Sequence, residues 1–249
     1  MFKEFHYQVR GRGHENDGVR GQDRTAYLSR RGVQALCLAD GAGSAHRSEI
    51  GAQAVVEEGC AILVERFAQL IASDDAEQSR DDIRSRLIKR LREVSSRLGC
   101  ELSDLASTFL AVAVSGDRFI ALHIGDGVIG YSKDGELRVV SAPDNSEFAN
   151  QTTFVTSPDA ASSMRLFRGR LSDVKGFILM SDGTSASLYD FRNKTLAPAC
   201  TKLINAVGDA PTRQVRNPLH KRRVRRLVDT RVRQATKDDC SIGILARRL

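Results

Sequence analysis

Four aspartates stand where an apolar run meets a turn. Leu38-Ala39-Asp40-Gly41 ends one such run, His123-Ile124-Gly125-Asp126-Gly127 a second and Met180-Ser181-Asp182-Gly183 a third, while Lys237-Asp238-Asp239-Cys240-Ser241 opens a fourth. Asp23, in Gly21-Gln22-Asp23-Arg24, stands just ahead of a fifth. One Asp-Gly pair is ordinary turn chemistry. Several aspartates at the same kind of junction converge on one rim of a sheet when their strands are neighbours. Carboxylates that close repel one another and cannot all stay ionised without a counter-charge. A divalent hard cation, Mg²⁺ or Mn²⁺, held by carboxylates, a backbone carbonyl and water, answers that need. Gly41 lets the backbone approach closely, so that its carbonyl can face a metal. No His or Cys cluster at these junctions points to zinc or copper.

The surrounding pattern says what must position these acids. Phe5–Val9, Thr25–Ser29 and Val33–Leu38 read as strands, the last two joined at Arg30-Arg31-Gly32. Val56, Cys60, Leu63, Phe67 and Leu70 then recur at spacings of four and three, the apolar stripe of a long helix. Ile83, Leu87, Leu91, Val94 and Leu98 repeat the spacing, with Asp81 and Asp82 expected in the first turn, where the helix dipole favours anions. Two adjacent helices with one apolar face each form an antiparallel pair lying on a further apolar layer. That layer is a sheet. Thr108–Val114 and Arg118–Ile124 flank Ser115-Gly116-Asp117, and Ile129–Ser132 and Leu137–Ser141 flank Lys133-Asp134-Gly135, two hairpin signals. Gly176–Met180 and Ser241–Leu245 are short apolar strands. Hairpins outnumber βαβ units, which predicts an α+β fold of antiparallel sheets with helices outside.

Composition narrows the class. The 249 residues are 41% hydrophobic and 28% charged, ordinary for a globular protein of one domain or two small ones. No apolar stretch reaches the ~18 residues of a membrane span, and the first residues carry no apolar signal region, so a cytoplasmic protein is expected. The 5 cysteines are odd in number and scattered, which argues against a disulfide framework. The net charge of +7 is concentrated. Between Arg213 and Lys237 stand eight arginines and two lysines against one acid, Asp229. Such a segment is either a surface that reads phosphate or acidic groups, or the solvated face of a helix. No aromatic residue interleaves with it, so base stacking has no support.

Taken in order, Gln22-Asp23, Asp40-Gly41-Ala42-Gly43-Ser44 with Ser48-Glu49, Ser107-Thr108-Phe109, Gly125-Asp126-Gly127, Ser181-Asp182-Gly183 and Asp238-Asp239 resemble the metal-dependent protein phosphatases of the type 2C family. The likeness runs from about residue 10 to residue 247. His14 upstream of Gln22-Asp23, and Phe148-Ala149-Asn150-Gln151-Thr152 followed by Phe154, resemble a bacterial branch of it. The resemblance implies a four-layer αββα sandwich, two antiparallel sheets flanked by helix pairs, formed by a single domain over residues 1–249. It implies two Mn²⁺ or Mg²⁺ ions and a third, weaker site. Asp40 would bridge the two ions, the Gly41 carbonyl would bind one, and Asp182 and Asp238 would bind the other. Asp238 is favoured over Asp239 by register. Asp23 would act from the outer shell, and Asp126 matches the acid of the third site. The activity implied is hydrolysis of phosphoserine and phosphothreonine by a water activated between the metals.

Several positions depart from the family pattern. An arginine often stands five residues before the first Asp, where this chain has Gly18; Arg20 is the nearest replacement as a phosphate contact, with Arg24 and the arginine-rich segment as alternatives. Gly127 stands where a serine is usual. These two glycines leave a second function open: a catalytically weak relative that regulates a phosphoprotein or kinase by binding. His14 is either the general acid for the leaving alkoxide or a loop histidine bonded to backbone. His123 is expected to be structural, and His46 is given no role. The expected partner is a phosphorylated protein, a Ser/Thr kinase among the candidates; a monomer is expected, with no membrane or nucleic-acid partner.

Overall fold

The computed structural model describes residues 1–143, 152–211 and 219–249, and its longer strands form two five-stranded antiparallel sheets. One sheet is ordered β2 (Arg24–Arg30), β3 (Val33–Ala39), β4 (Phe109–Ser115), β5 (Arg118–Ile124) and β8 (Arg165–Arg170). The other is ordered β1 (Lys3–Val9), β12 (Cys240–Ala246), β9 (Val174–Met180), β6 (Val128–Lys133) and β7 (Glu136–Ser141). β10 (Tyr189–Asp190) and β11 (Thr195–Leu196) make a small separate pair. The longer helices are α2 (Ser48–Ala72), α3 (Ala76–Leu98), α6 (Ala199–Gly208) and α7 (Leu219–Leu227). The shorter ones are α1 (Arg12–Asn16), α4 (Ala160–Ser163), α5 (Asp182–Leu188) and α8 (Arg233–Ala235).

Period-two alternation sorts the strand residues into layers. Leu36 and Leu38 of β3 and Leu110 and Val112 of β4 point to a core shared with Phe177 and Leu179 of β9. Ala35, Cys37, Phe109 and Ala111 point the other way, onto Val56, Leu63, Leu87 and Leu91 of α2 and α3. On the far side, Ile178, Ile242 and Ile244 meet Leu203 and Ile204 of α6 and Val224 of α7. Three apolar interfaces between four layers are the expected αββα sandwich.

The helix pair lies where the periodicity puts it, with one correction. α3 begins at Ala76, and Asp75 is its cap, accepting a hydrogen bond from the Gln78 N–H at 2.8 Å. Asp81 and Asp82 therefore sit beyond the first turn, and Asp82 pairs with Arg66 instead. α2 approaches the sheet closely. A Cβ on Gly59 would lie 2.5 Å from the Phe109 ring and 3.4 Å from Cys37 Sγ. Gly59→Ala should therefore lower stability by about 1–3 kcal/mol through overpacking, despite a gain of ~1 kcal/mol in helix propensity. A urea titration measures this; an unchanged midpoint would mean that the helix shifts freely on the sheet.

Candidate active site

Each acid is set by the element it terminates. The Asp40 N–H donates to Thr108 Oγ1 at 2.9 Å and the Thr108 N–H to the Asp40 carbonyl at 2.8 Å, so the end of β3 is tied to the start of β4. Gly41 then bridges to Ser107. Asp182 opens α5 directly after β9, and Asp238 immediately precedes Asp239 and β12, a neighbour of β9 in the same sheet. Asp126 lies in the turn between β5 and β6, and its Oδ2 accepts from Thr152 Oγ1 at 2.7 Å. Asp40, Gly41, Asp126, Asp182, Asp238 and His14 together line one pocket of about 220 Å³ at a rim of the sandwich.

The charges in this pocket are under strain. Asp40 lies within hydrogen-bonding reach of both Asp23 and Asp182. Burial, then the two neighbouring carboxylates, push its pKa well above the usual carboxylate range. Burial pushes Asp23 up to about 7, with Asp239 adding to the shift. Asp182 rises to about 6, through burial and then the charges of Asp238 and Asp126. Without a cation such a row holds protons between its members.

Asp23 and Asp239 are almost completely buried. Asp23 Oδ2 accepts from Ser181 Oγ at 2.9 Å, and the Ser241 N–H donates to that same hydroxyl at 3.0 Å. Asp23 Oδ1 is buried and receives no hydrogen bond from the described residues. Asp239 behaves differently. Its Oδ1 accepts from the Gly11 N–H at 2.6 Å and its Oδ2 from the Gln22 N–H. It holds two loops in place while Asp238 faces the pocket. Close approach makes this possible: a Cβ on Gly11 would lie 2.3 Å from the Asp238 backbone, and one on Gly183 2.1 Å from the Asp239 carbonyl. His14 Nδ1 stands 3.0 Å from Asp239 Oδ1.

Among the described residues no arginine lines this pocket. Arg20 projects into solvent, its side chain 85% exposed and 3.5 Å from Glu49. It lines a neighbouring cavity of about 370 Å³ with His46 and Glu49, which shares Gln22 and Gly43 with the carboxylate pocket. Arg24 is turned to the Gly21 and Asp23 carbonyls. Arg213, Arg216 and residues 148–151 lie outside the described residues. At Gly127 a Cβ would lie 2.6 Å from the Met180 carbonyl, so the serine usual in the family has no room. His123 is structural as expected: it contacts Ser141 Oγ at 2.7 Å and the Gly125 carbonyl at 2.9 Å, and burial lowers its pKa to about 3. Reading the sequence left Thr108, Ser181 and the latch role of Asp239 unassigned. Ser181 beside Asp182 and Thr108 at the head of an apolar run were the available signal.

The donor set fits a hard divalent ion. It is all oxygen, and it includes one buried carboxylate oxygen with no hydrogen-bond donor and an Asp40 wedged between two other acids. Among the described residues no three acid, His or Cys side chains close on a single ion by themselves. An ion here would take waters for the rest of its shell, as Mg²⁺ commonly does.

The wider comparisons agree with this geometry. Residues 10–221 match the family model described as protein phosphatase 2C. Serine/threonine-protein phosphatase 3 of Escherichia coli (strain K12) is 30% identical over 186 residues, covering 72% of this chain and 70% of that protein. The crystal structure of the serine/threonine phosphatase Stp1 from Staphylococcus aureus superposes with a TM-score of 0.65 at 16% identity, covering 100% of this chain and 96% of the other. The catalytic domain of the serine threonine protein phosphatase PstP, crystallised with 2 manganese ions, gives 0.61 at 18% identity, with 98% and 97% covered. The chain belongs to the protein phosphatase 2C family. Among the described residues no helix is long and apolar enough to cross a membrane.

Proposed function

We propose that the chain is a Mn²⁺- or Mg²⁺-dependent phosphatase acting on phosphoserine and phosphothreonine in proteins. The observation that carries this reading is the convergence of Asp40, Asp126, Asp182 and Asp238 on one pocket in a member of this family. Asp40 would serve two ions, the Gly41 carbonyl one of them, and Asp182 and Asp238 the other. Asp126 would serve a weaker third, and residues 1–249 act as one domain. When bound, the ions lower the pKa of water and neutralise phosphoryl charge. Asp23, whose buried Oδ1 has no donor among the described residues, would accept a hydrogen bond from solvent held at the ions. Gln22 and Gly11, pinned by Asp239, shape the wall. Arg20 reaches phosphate only by swinging from Glu49.

His14 is the general acid. Its Nδ1 stands 3.0 Å from Asp239 Oδ1, and Nε2 would protonate the serine or threonine oxygen as the P–O ester bond breaks and the electron pair moves to that oxygen. The need for such an acid depends on the leaving group. His14→Asn should reduce turnover of a phosphothreonine peptide by roughly 10–100-fold and that of p-nitrophenyl phosphate by less than about threefold, because nitrophenolate leaves without a proton. Equal losses on both substrates would make His14 a structural residue.

The reading as a whole is tested by hydrolysis of both substrates with Mn²⁺, with Mg²⁺ and with chelator. Turnover that requires metal is expected. Metal binding without turnover would transfer the family assignment to a regulator that binds phosphoprotein.

A further inference from the structure

The chemistry above makes no use of the helical run from Leu219 to Ala235. Val224, Val228 and Val232, four residues apart, form its buried stripe. A spacing of four drifts around an α-helix of 3.6 residues per turn. A π-turn at Val228–Val232, in which the Arg233 N–H donates to the Val228 carbonyl, widens the helix and keeps Val232 on the stripe. The run is fastened along β1. Lys221 pairs with Glu4, the Arg225 guanidinium lies 4.8 Å over the Tyr7 ring, the Tyr7 hydroxyl donates to Asp229 at 2.9 Å, and Arg233 Nε donates to the Arg10 carbonyl at 2.8 Å. It follows β1 for about 20 Å and then delivers Asp238 to the pocket.

Its outer face is a row of arginines. Arg222, Arg223, Arg225, Arg226 and Arg231 are exposed. No carboxylate among the described residues pairs with Arg222, Arg223, Arg226 or Arg231. The acid within reach, Asp229, is engaged by Tyr7. Arg222 with Arg225 and Arg226, and Arg223 with Arg226, stand three or four apart on one helix. Like charges at that spacing oppose the helix by about 0.2–0.5 kcal/mol each. A shallow cavity of about 570 Å³ lies beside Arg222, Arg223, Arg225 and Arg226.

We propose that this row docks an acidic segment of the protein substrate, several residues along the chain from the phosphorylated side chain. The proposal rests on the phosphatase reading. Charge complementarity selects an acidic occupant. A nucleic-acid strand would find no free aromatic ring to stack on along this row, because Tyr7 is covered by Arg225. A polypeptide can carry its acids over the arginines alone. At about 3.3–3.6 Å per residue, some four to eight extended residues bridge from the arginines to the pocket.

The test uses two phosphothreonine peptides that differ only in four Glu or four Gln placed six residues from the phosphate. The wild-type protein should prefer the Glu peptide by about tenfold in kcat/KM at low salt, mainly through KM, and salt should erode the preference. The triple variant Arg222→Glu, Arg223→Glu, Arg226→Glu should lose it, with p-nitrophenyl phosphate turnover held within about twofold. If that variant misfolds, Arg222→Gln and Arg226→Gln singly should each reduce the preference. No preference in the wild type overturns the proposal. So does tighter binding of a fluorescent 20-base-pair DNA duplex than of a fluorescent Glu-rich peptide at physiological salt. Anisotropy of the Glu-rich peptide in chelator separates the two readings. Binding that the variant loses, in a protein that hydrolyses neither substrate, keeps the docking surface and removes the phosphatase.

Discussion

Asp40→Asn is expected to reduce metal-dependent phosphate hydrolysis by roughly 10³-fold or more, about 4 kcal/mol of transition-state stabilisation, and to raise the melting temperature of the metal-free protein. Both effects have one cause. Asp40 stands within hydrogen-bonding reach of Asp23 and Asp182, and burial with these two neighbours resists its ionisation. Asparagine keeps the shape, removes the charge and offers N–H donors to either neighbour. Relief of the repulsion is worth about 1 kcal/mol, or about 2–4 °C for a chain of this size. The same change removes the carboxylate best placed to serve two cations. Turnover of p-nitrophenyl phosphate and thermal unfolding in chelator give the two readings. A variant keeping more than about a tenth of the activity would take Asp40 out of the centre; a lower melting temperature would make it a structural acid.

The second large effect is in pH. Asp23 and Asp182 have folded pKa values of about 7 and about 6, against 3.8 for the unexposed-to-neighbours carboxyl. A raised folded pKa means that the folded state binds more protons than the unfolded one across that window. The stability it contributes is present below pH ~4 and is lost as pH rises through 6 and 7. A divalent ion competes with the same protons, so it binds best where the metal-free protein is weakest. The rise in melting temperature produced by saturating Mn²⁺ should therefore grow between pH 5 and pH 8, by on the order of 3 kcal/mol or about 6–10 °C. Taking the difference between metal and chelator at each pH cancels groups remote from the site, such as His123. A metal effect that is flat with pH would show that the ion does not bind among these carboxyls.

Much of this site was legible because an Asp after an apolar run leaves a plain trace. The strand supplies a hydrophobic period and the turn supplies the glycine. Asp40, Asp126 and Asp182 are picked out that way, Asp238 by the apolar run that follows it, and the helix pair follows from the three-and-four spacing. What escaped has physical reasons. β8 reads Arg165-Leu166-Phe167-Arg168-Gly169-Arg170, half-buried at a sheet edge, with too few apolar residues to announce a strand. α5 begins at Asp182 itself, so its first turn looks like the Asp-Gly turn that ends a strand. The division of labour between Asp238 and Asp239 depends on which side chain meets the Gly11 and Gln22 amides across 228 and 217 positions, a contact no local pattern encodes. The Arg20–Glu49 contact at 3.5 Å joins positions too far apart for a local pattern to encode.

β1 pairs with β12, so that Lys3 faces Ala246 and Val9 faces Cys240. During synthesis β1 must therefore wait, unpaired, until β12 emerges more than 230 residues later. β12 also stands between β1 and β9, so the sheet has no complete centre before then. Asp238 and the Asp239 latch arrive with it. The growing chain therefore carries its other carboxylates before the pocket can close, and without β12 the edges of β1 and β9 stay exposed, a mark for degradation.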